Sequence, residues 1–261
     1  MRFFNLYIQI TDKSYVDTEE ISPEEIYRIW REEGILPKTA AVSPGDYLRH
    51  FEKWVKDGYD VVHINIGSGL SSSYQNCCLA AKSLGHVYPI DSQNLSTGCG
   101  NLVVKAGEMI EAGFSAEEIQ KKITEMTSKS HGSFVLDTLE FMRAGGRCSA
   151  VAAVSADLLK LKPCILVNNQ DGGKMNVGKK YRGAIEKVLS RYVEDTLSNY
   201  KDIDYDRVFI THSGSLDSDI ELVKEELLRL ANFKEIHVTR ASCTISAHCG
   251  PRTLGILFMT K

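Results

Sequence analysis

Four short segments carry hydroxyl, guanidinium or imidazole groups that the folding pattern does not demand. The first is Thr39, between Pro37-Lys38 and Ser43. The second is the turn Gly67-Ser68-Gly69-Leu70-Ser71-Ser72-Ser73, which follows the apolar run Val61, Val62, Ile64 and Ile66. Its glycines allow a sharp bend and a close backbone approach to a ligand. Its serines sit where the unpaired N–H groups of a helix start point. Together they form a cradle for an anion, phosphate or carboxylate. The third is Gly145-Gly146-Arg147, where two glycines would let an arginine fork reach an anion. The fourth is the turn Ser246-Ala247-His248-Cys249-Gly250-Pro251, where an imidazole titrating near neutrality could serve at a cleft. Each has a plain structural counterpart: a loop threonine, an ordinary strand-to-helix turn, a surface arginine after a helix end, and a hydrogen-bonded structural histidine.

Several familiar chemistries are disfavoured by spacing. The turn has no GxxxxGK[ST] lysine, so it is not a nucleotide P-loop. A dinucleotide fingerprint would need glycine at its sixth position, where Ser72 stands. The GxSxG spacing of a serine hydrolase is missing. Cys249 lies beside His248, but no Asp or Asn partner is marked for a thiol nucleophile.

The elements that must position these groups alternate. Phe3 to Ile10 reads as a strand. Ser22-Pro23-Glu24-Glu25 is a helix start, with its stop at Gly34, and Ser43-Pro44-Gly45-Asp46 opens a second helix in the same way. A strand at 60–66, a helix over 72–84, a strand Val87 to Asp91 and a helix from about Gly100 to Ala112 follow. Ser115-Ala116-Glu117-Glu118 is a third capping box, for a helix to about Ser130. Ser133 to Asp137 is strand-like and Leu139 to Ala144 helical. Further on, Leu158 to Val167 leads into a strand, Asn169 to Gly173 is a turn, and Met175 to Gly178 returns as a hairpin partner. A helix from Tyr181 to about Asn199, a strand Arg207 to His212, a helix Leu216 to Asn232 and strands Glu235 to Arg240 and Leu254 to Met259 complete the chain. The alternation predicts an α/β fold whose N-terminal half is a mostly parallel sheet flanked by helices, followed by a smaller C-terminal α/β domain. The predicted domains are 1–150 and 151–261. Ligands of such sheets sit outside the carboxyl ends of the strands, where the 67–73 turn and Asp91-Ser92-Gln93-Asn94 fall.

Composition narrows the classes. The 261 residues suffice for one large or two smaller domains. With 31 basic and 34 acidic residues, the net charge of −3 gives no reason to expect nucleic acid or an acidic membrane surface. No apolar run is long enough for a membrane span. The N-terminus meets polar residues too early for a signal peptide, which predicts a cytoplasmic protein. Seven cysteines, an odd number with no CxxC spacing, argue against a disulfide framework or a zinc site; several should act as small buried apolar residues.

Taken in order, Pro37-Lys38-Thr39 with Ser43-Pro44-Gly45-Asp46, Gly69-Leu70-Ser71, Ile90-Asp91-Ser92, Asp137-Thr138-Leu139-Glu140 with Gly145-Gly146-Arg147, Leu161-Lys162-Pro163 and Ala247-His248-Cys249-Gly250-Pro251 resemble the DegV family of bacterial fatty-acid-binding proteins. The resemblance runs from about Leu6 to Met259. It implies a two-domain DegV-like fold with a long-chain fatty acid, such as palmitate or stearate, buried between the domains. It also implies that the carboxylate is held by the hydroxyls of Thr39 and Ser71, with the backbone of Gly67, Ser68, Gly69 and Ser72 forming the turn. Arg147 and His248 would lie near the head group, facing a fatty acid kinase catalytic subunit. That separate partner makes the acyl phosphate, so the resemblance implies no catalytic residue, metal or cofactor in this chain. The physics is compatible: a buried carboxylate must receive hydrogen bonds or take up a proton. A tail of about sixteen carbons gains on the order of 0.8 kcal/mol per buried CH₂, so the tail dominates affinity and the head group fixes orientation.

The sequence also departs from the family pattern. The family's usual first strand, with an Asp-Ser motif, would fall about twenty residues upstream of Met1, so the resemblance implies either a late start or a first domain that is incomplete or rearranged. Ala40 and Ala41 replace polar residues beside Thr39, Ser72 and Ser73 stand where glycine and threonine are usual, and Arg252-Thr253 replaces a small Gly-Ala pair. Two other functions therefore stay in view. One is an enzyme or binding protein for a small phosphorylated metabolite, using the Gly67–Ser73 turn. The other is a degenerate member acting only as an interaction protein.

Overall fold

In the computed structural model, which describes residues 1–152 and 161–261, the chain opens with β1 (Tyr7–Ile10), β2 (Lys13–Val16), α1 (Pro23–Glu33), β3 (Lys38–Ala40) and α2 (Pro44–Lys56). Next come β4 (Val61–Asn65), α3 (Ser73–Leu84), β5 (Val87–Asp91), α4 (Ser96–Glu111) and α5 (Ala116–Met126). A 3₁₀ turn, Thr127–Lys129, leads to β6 (Ser130–Val135), α6 (Glu140–Gly145) and α7 (Ser149–Ala152). The remainder is β7 (Lys162–Asn168), β8 (Lys174–Tyr181), α8 (Ile185–Ser198), β9 (Ile203–His212), α9 (Asp217–Leu230), β10 (Glu235–Arg240), α10 (Cys243–Cys249) and β11 (Leu254–Thr260).

Local chemistry sets many of these boundaries. Ser22 Oγ accepts from the Glu25 N–H at 3.2 Å and Ser43 Oγ from the Asp46 N–H at 3.1 Å. At Ser115 the capping box is complete, with the Glu118 carboxylate returning to the Ser115 N–H at 2.9 Å. α1 stops where Gly34 takes the left-handed conformation, φ 69°, and returns its N–H to the Trp30 carbonyl.

The chain forms two compact units, and neither is continuous in sequence. The first comprises Met1–Phe4, Ala41–Ser130 and Asn168–Lys174. In it β4 and β5 pair in parallel, from Val61 opposite Val87 to Asn65 opposite Asp91. Tyr47 and Phe51 of α2, Leu102 of α4 and Ile119 and Ile123 of α5 are fully buried. Phe4 packs with Tyr47, His50, Phe51, Trp54 and His63 at ring-centroid distances of 4.9–5.9 Å. The second, larger unit comprises Asn5–Ala40, His131–Val167 and Met175–Lys261. One of its sheets is antiparallel, in the order β2-β1-β3; the other follows β10-β9-β11-β6-β7-β8. α8 and α9 supply Val188, Leu189, Tyr192, Val193, Val223 and Leu227 to a core with Val208, Ile210, Ile256 and Phe258 of the larger sheet.

The division at residue 150 is therefore replaced by an interleaved one. A boundary read along the chain assumes local contacts, whereas β1 to β3 belong with the C-terminal elements and the tip of the β7–β8 hairpin belongs with β4 and β5. In the N-terminal half β4 pairs in parallel with β5, whereas β1 pairs antiparallel with both β2 and β3. The 243–249 segment is a helix, although residues 246–251 read as a turn. Tyr181 ends a strand instead of opening α8. The Leu158 to Lys160 stretch lies outside the described residues. Cys77, Cys148, Cys164, Cys243 and Cys249 are buried thiols, as expected of small apolar residues. Among the described residues no helix is long and apolar enough to cross a membrane.

Candidate functional site

In the second unit, Thr39, His248 and Arg147 converge. Thr39 lies on β3, opposite Ile8 of β1. Its Oγ1 is 2.9 Å from Nε2 of His248, in the last turn of α10. Asp17 fixes the other end of that helix: its carboxylate accepts from the N–H groups of Cys243 at 2.8 Å and Thr244 at 2.9 Å. Hydrogen bonds from Thr244 and Thr18 hold its pKa below the ordinary carboxylate value despite the opposing effect of burial.

The histidine ring is tightly confined. A Cβ on Gly145, at the end of α6, would lie 2.3 Å from His248 Nδ1, so only glycine lets the helix end approach the ring. Gly146 then takes φ 65° and terminates α6. Arg147 follows at the surface, and its Nη1 donates to the Gly145 carbonyl at 2.8 Å. Its guanidinium carries five N–H donors in a fork suited to an anion. Burial, with the Arg147 charge second, pushes the His248 pKa down to about 4. The ring is therefore neutral at neutral pH. Its Nδ1 is buried with no hydrogen-bond partner among the described residues. A buried unpaired N–H costs more than an unpaired lone pair, which favours the tautomer protonated on Nε2. In that state His248 donates to Thr39 Oγ1 and leaves the threonine proton free to donate elsewhere.

The Gly67–Ser73 turn lies in the first unit, and its glycines have a different use from the one the sequence suggests. The Gly67 N–H bonds the Asn94 carbonyl at 2.7 Å and the Gly69 N–H bonds the Gly172 carbonyl at 2.9 Å. The Ser68 N–H bonds Asp91 Oδ1 at 3.0 Å. A Cβ on Gly67 would stand 2.3 Å from the Gly172 oxygen, and one on Gly69 would stand 2.7 Å from Lys174 Cγ. These three residues are glycine-rich for the sake of the hairpin tip packed on them, and their N–H groups are spent inside the protein. The expectation that Gly67, Ser68 and Gly69 cradle a ligand through the backbone is corrected accordingly. Ser72 precedes α3, yet its side chain makes no cap bond. Ser71 does so instead, its Oγ accepting from the Ser73 N–H at 3.2 Å and lying 2.9 Å from Ser73 Oγ. The next two N–H groups of α3, at Tyr74 and Gln75, have no intrahelical acceptor. What the turn offers a ligand is thus the Ser71 hydroxyl at a helix N-terminus.

Spacing alone missed three groups. Asp17 looks like one acidic residue among many, and Tyr47 looks like any helix-face aromatic. Gly172 lies more than a hundred residues from the turn it supports. Arg252, which stands where the family has a small residue, has a defined partner: its Nη2 donates to Asp219 Oδ2 at 2.9 Å, and the Asp219 side chain is almost fully buried. Arg252 also adopts φ 56°, uncommon for a residue with a side chain.

Comparison with known proteins gives the family. A DegV-domain-containing protein of Caldanaerobacter subterraneus subsp. tengcongensis is 32% identical over 263 residues, covering 98% of this chain and 90% of its own. One from Clostridium acetobutylicum is 30% identical with the same coverage. Among solved structures, the DegV family protein from Thermus thermophilus, described as fatty acid binding, superimposes with a TM-score of 0.88 at 29% identity, covering 98% of this chain and 91% of that one. A Thermotoga maritima protein, described as revealing a fatty acid binding function, gives 0.82 at 26% identity, with coverages of 99% and 91%. The model of the family described as "Uncharacterised protein, DegV family" matches residues 1–261, and the chain belongs to the DegV family.

Proposed function

We propose that this protein binds a long-chain fatty acid, with the hydroxyls of Thr39 and Ser71 donating to its carboxylate. Arg147 and His248 act beside Thr39, and the bound acid is presented to a separate fatty acid kinase. The observation that carries the proposal is the Thr39–His248 pair, held by Gly145 at one end of α10 and by Asp17 at the other. A neutral imidazole that donates to Thr39 leaves a hydroxyl proton for an anion and adds no competing negative charge. Fatty acid binding by the Thermus thermophilus and Thermotoga maritima proteins supports the choice of ligand. Hand-over to a kinase rests on family membership. The phosphorylated-metabolite reading is weakened by the turn itself, because the backbone donors of Gly67, Ser68 and Gly69 that would grip a phosphate are already paired.

The test is native mass spectrometry of protein purified from a bacterial host, before and after incubation with oleate or palmitate. One C14–C18 acid per chain is expected. Each of Thr39→Ala and Ser71→Ala should weaken binding by about 1–3 kcal/mol, the worth of a hydrogen bond to a charged group. Protein that neither carries nor takes up such an acid would refute the proposal. Unchanged affinity in both variants would refute the head-group assignment.

A further inference from the structure

Behind Ser71 lies a buried polar chain that the proposed function does not use. Ser73, the first residue of α3, is 2% exposed and fastens Ser71 twice. Its N–H donates to Ser71 Oγ at 3.2 Å, and its hydroxyl lies 2.9 Å from the same oxygen. Tyr47 of α2, itself 2% exposed, lies near Ser73. Tyr47 in turn donates to Asn65 Oδ1 at 3.1 Å. The direction of that bond is fixed. Asn65 Nδ2 donates to the carbonyls of His63 and Ile90, at 3.2 and 3.3 Å, so its oxygen faces the phenol and can only accept. The phenol proton is therefore committed to Asn65, and the Ser73 hydroxyl has one proton to give, within reach of Ser71 Oγ.

We propose that Ser73 is a positioning residue for Ser71, backed by Tyr47 and Asn65, whose hydroxyl turns toward Ser71 Oγ when a carboxylate is bound. Ser71 Oγ then accepts two hydrogen bonds from Ser73 and its own proton is directed to the ligand. Without the carboxylate, the Ser71 proton can return to Ser73 Oγ, so the Ser71–Ser73 pair stays hydrogen-bonded in either state. The proposal rests on the assignment of Ser71 to the ligand carboxylate. It adds that the strength of that contact is set by a residue that never touches the ligand.

The experiment measures dissociation constants for oleate and for methyl oleate, which has the same tail and no carboxylate. The proteins are the wild type, Ser71→Ala, Ser73→Ala, Ser73→Thr and the Ser71→Ala/Ser73→Ala double variant. Ser73→Ala should weaken oleate binding about tenfold and leave methyl oleate unchanged. Ser73→Thr, which keeps the hydroxyl, should restore oleate affinity. The double variant should bind oleate no worse than Ser71→Ala alone, because Ser73 acts only through Ser71. Equal losses for acid and ester, or additive losses in the double variant, would overturn the proposal and mark Ser73 as merely structural. If Ser71→Ala weakens oleate and Ser73→Ala does not, the proposal fails and the head-group assignment stands. If Ser71→Ala leaves oleate affinity unchanged, that assignment fails and the proposal with it.

Discussion

The confined imidazole of His248 should make the second unit sensitive to mild acid. Its pKa of about 4 in the folded protein lies below the ordinary imidazole value of 6.5, because burial and the Arg147 charge both disfavour the imidazolium. The sign follows from proton counting: below pH 6.5 the unfolded chain takes up a proton that the folded ring refuses. The stabilising effect of keeping the ring neutral is thus fully present above pH 6.5 and is lost as the pH falls toward 4. Between pH 7 and pH 5 the loss amounts to about 2 kcal/mol for this one group. Carboxylates with depressed pKa values, such as Asp17 and Glu25, lose their contribution as the pH falls below their ordinary values of 3.8 and 4.5, outside this window. His131 and His212 in the same unit are also depressed by burial, and they contribute equally to wild type and variant. The perturbation is His248→Gln, which retains a side-chain amide and removes the titration. The two tryptophans divide the signal, since Trp30 lies in the second unit and Trp54 in the first. Urea unfolding followed by Trp30 fluorescence in a Trp54→Phe background therefore reports on the unit that holds His248. Stability of the parent should fall between pH 7 and pH 5 by about 2 kcal/mol more than that of the His248→Gln protein. Parallel profiles would refute the placement of a buried, neutral ring.

Two further outcomes are expected. Gly145→Ala should push the His248 ring off Thr39, because the new Cβ would lie 2.3 Å from Nδ1; the ring's ¹⁵N resonances should move and oleate affinity should fall by about 1 kcal/mol, the worth of one hydrogen bond. Arg252→Ala leaves the buried Asp219 carboxylate without its cation and should lower the stability of the second unit by about 3 kcal/mol, and Asp219→Asn in the same chain should recover part of that in urea titrations.

Where short-range chemistry decides, the sequence was a good guide. Serine, proline and glutamate at the Ser22, Ser43 and Ser115 helix starts need only their own neighbours, and those helices form where expected. β5 runs from Val87 to Asp91, as read. Where distant segments decide, it was not. β3 is three residues long and exists because β1 pairs with it. α10 is a single short helix whose first N–H groups are satisfied by Asp17, 226 residues away in sequence. Thr39 and His248 could each be singled out by motif, yet nothing in either motif says that their side chains meet. For the Gly67–Ser73 turn the residue types suggested a backbone cradle. The glycines answer instead to Gly172 and Lys174, a contact invisible without the hairpin.

The interleaving of the two units has a consequence for synthesis. A chain made from Met1 onward exposes the apolar face of α1 early: Ile26, Tyr27 and Ile29, together with Ile8 and Ile10 of β1, pack on Phe141, Cys243 and Ala247. Cys243 and Ala247 leave the ribosome more than two hundred residues after α1. The first unit likewise cannot close until Gly172 is available to the 67–69 turn. Such long-range closures are slow, and the apolar surface that awaits them invites aggregation. A nascent chain that has made α1 but not yet α10 therefore carries an uncovered apolar helix.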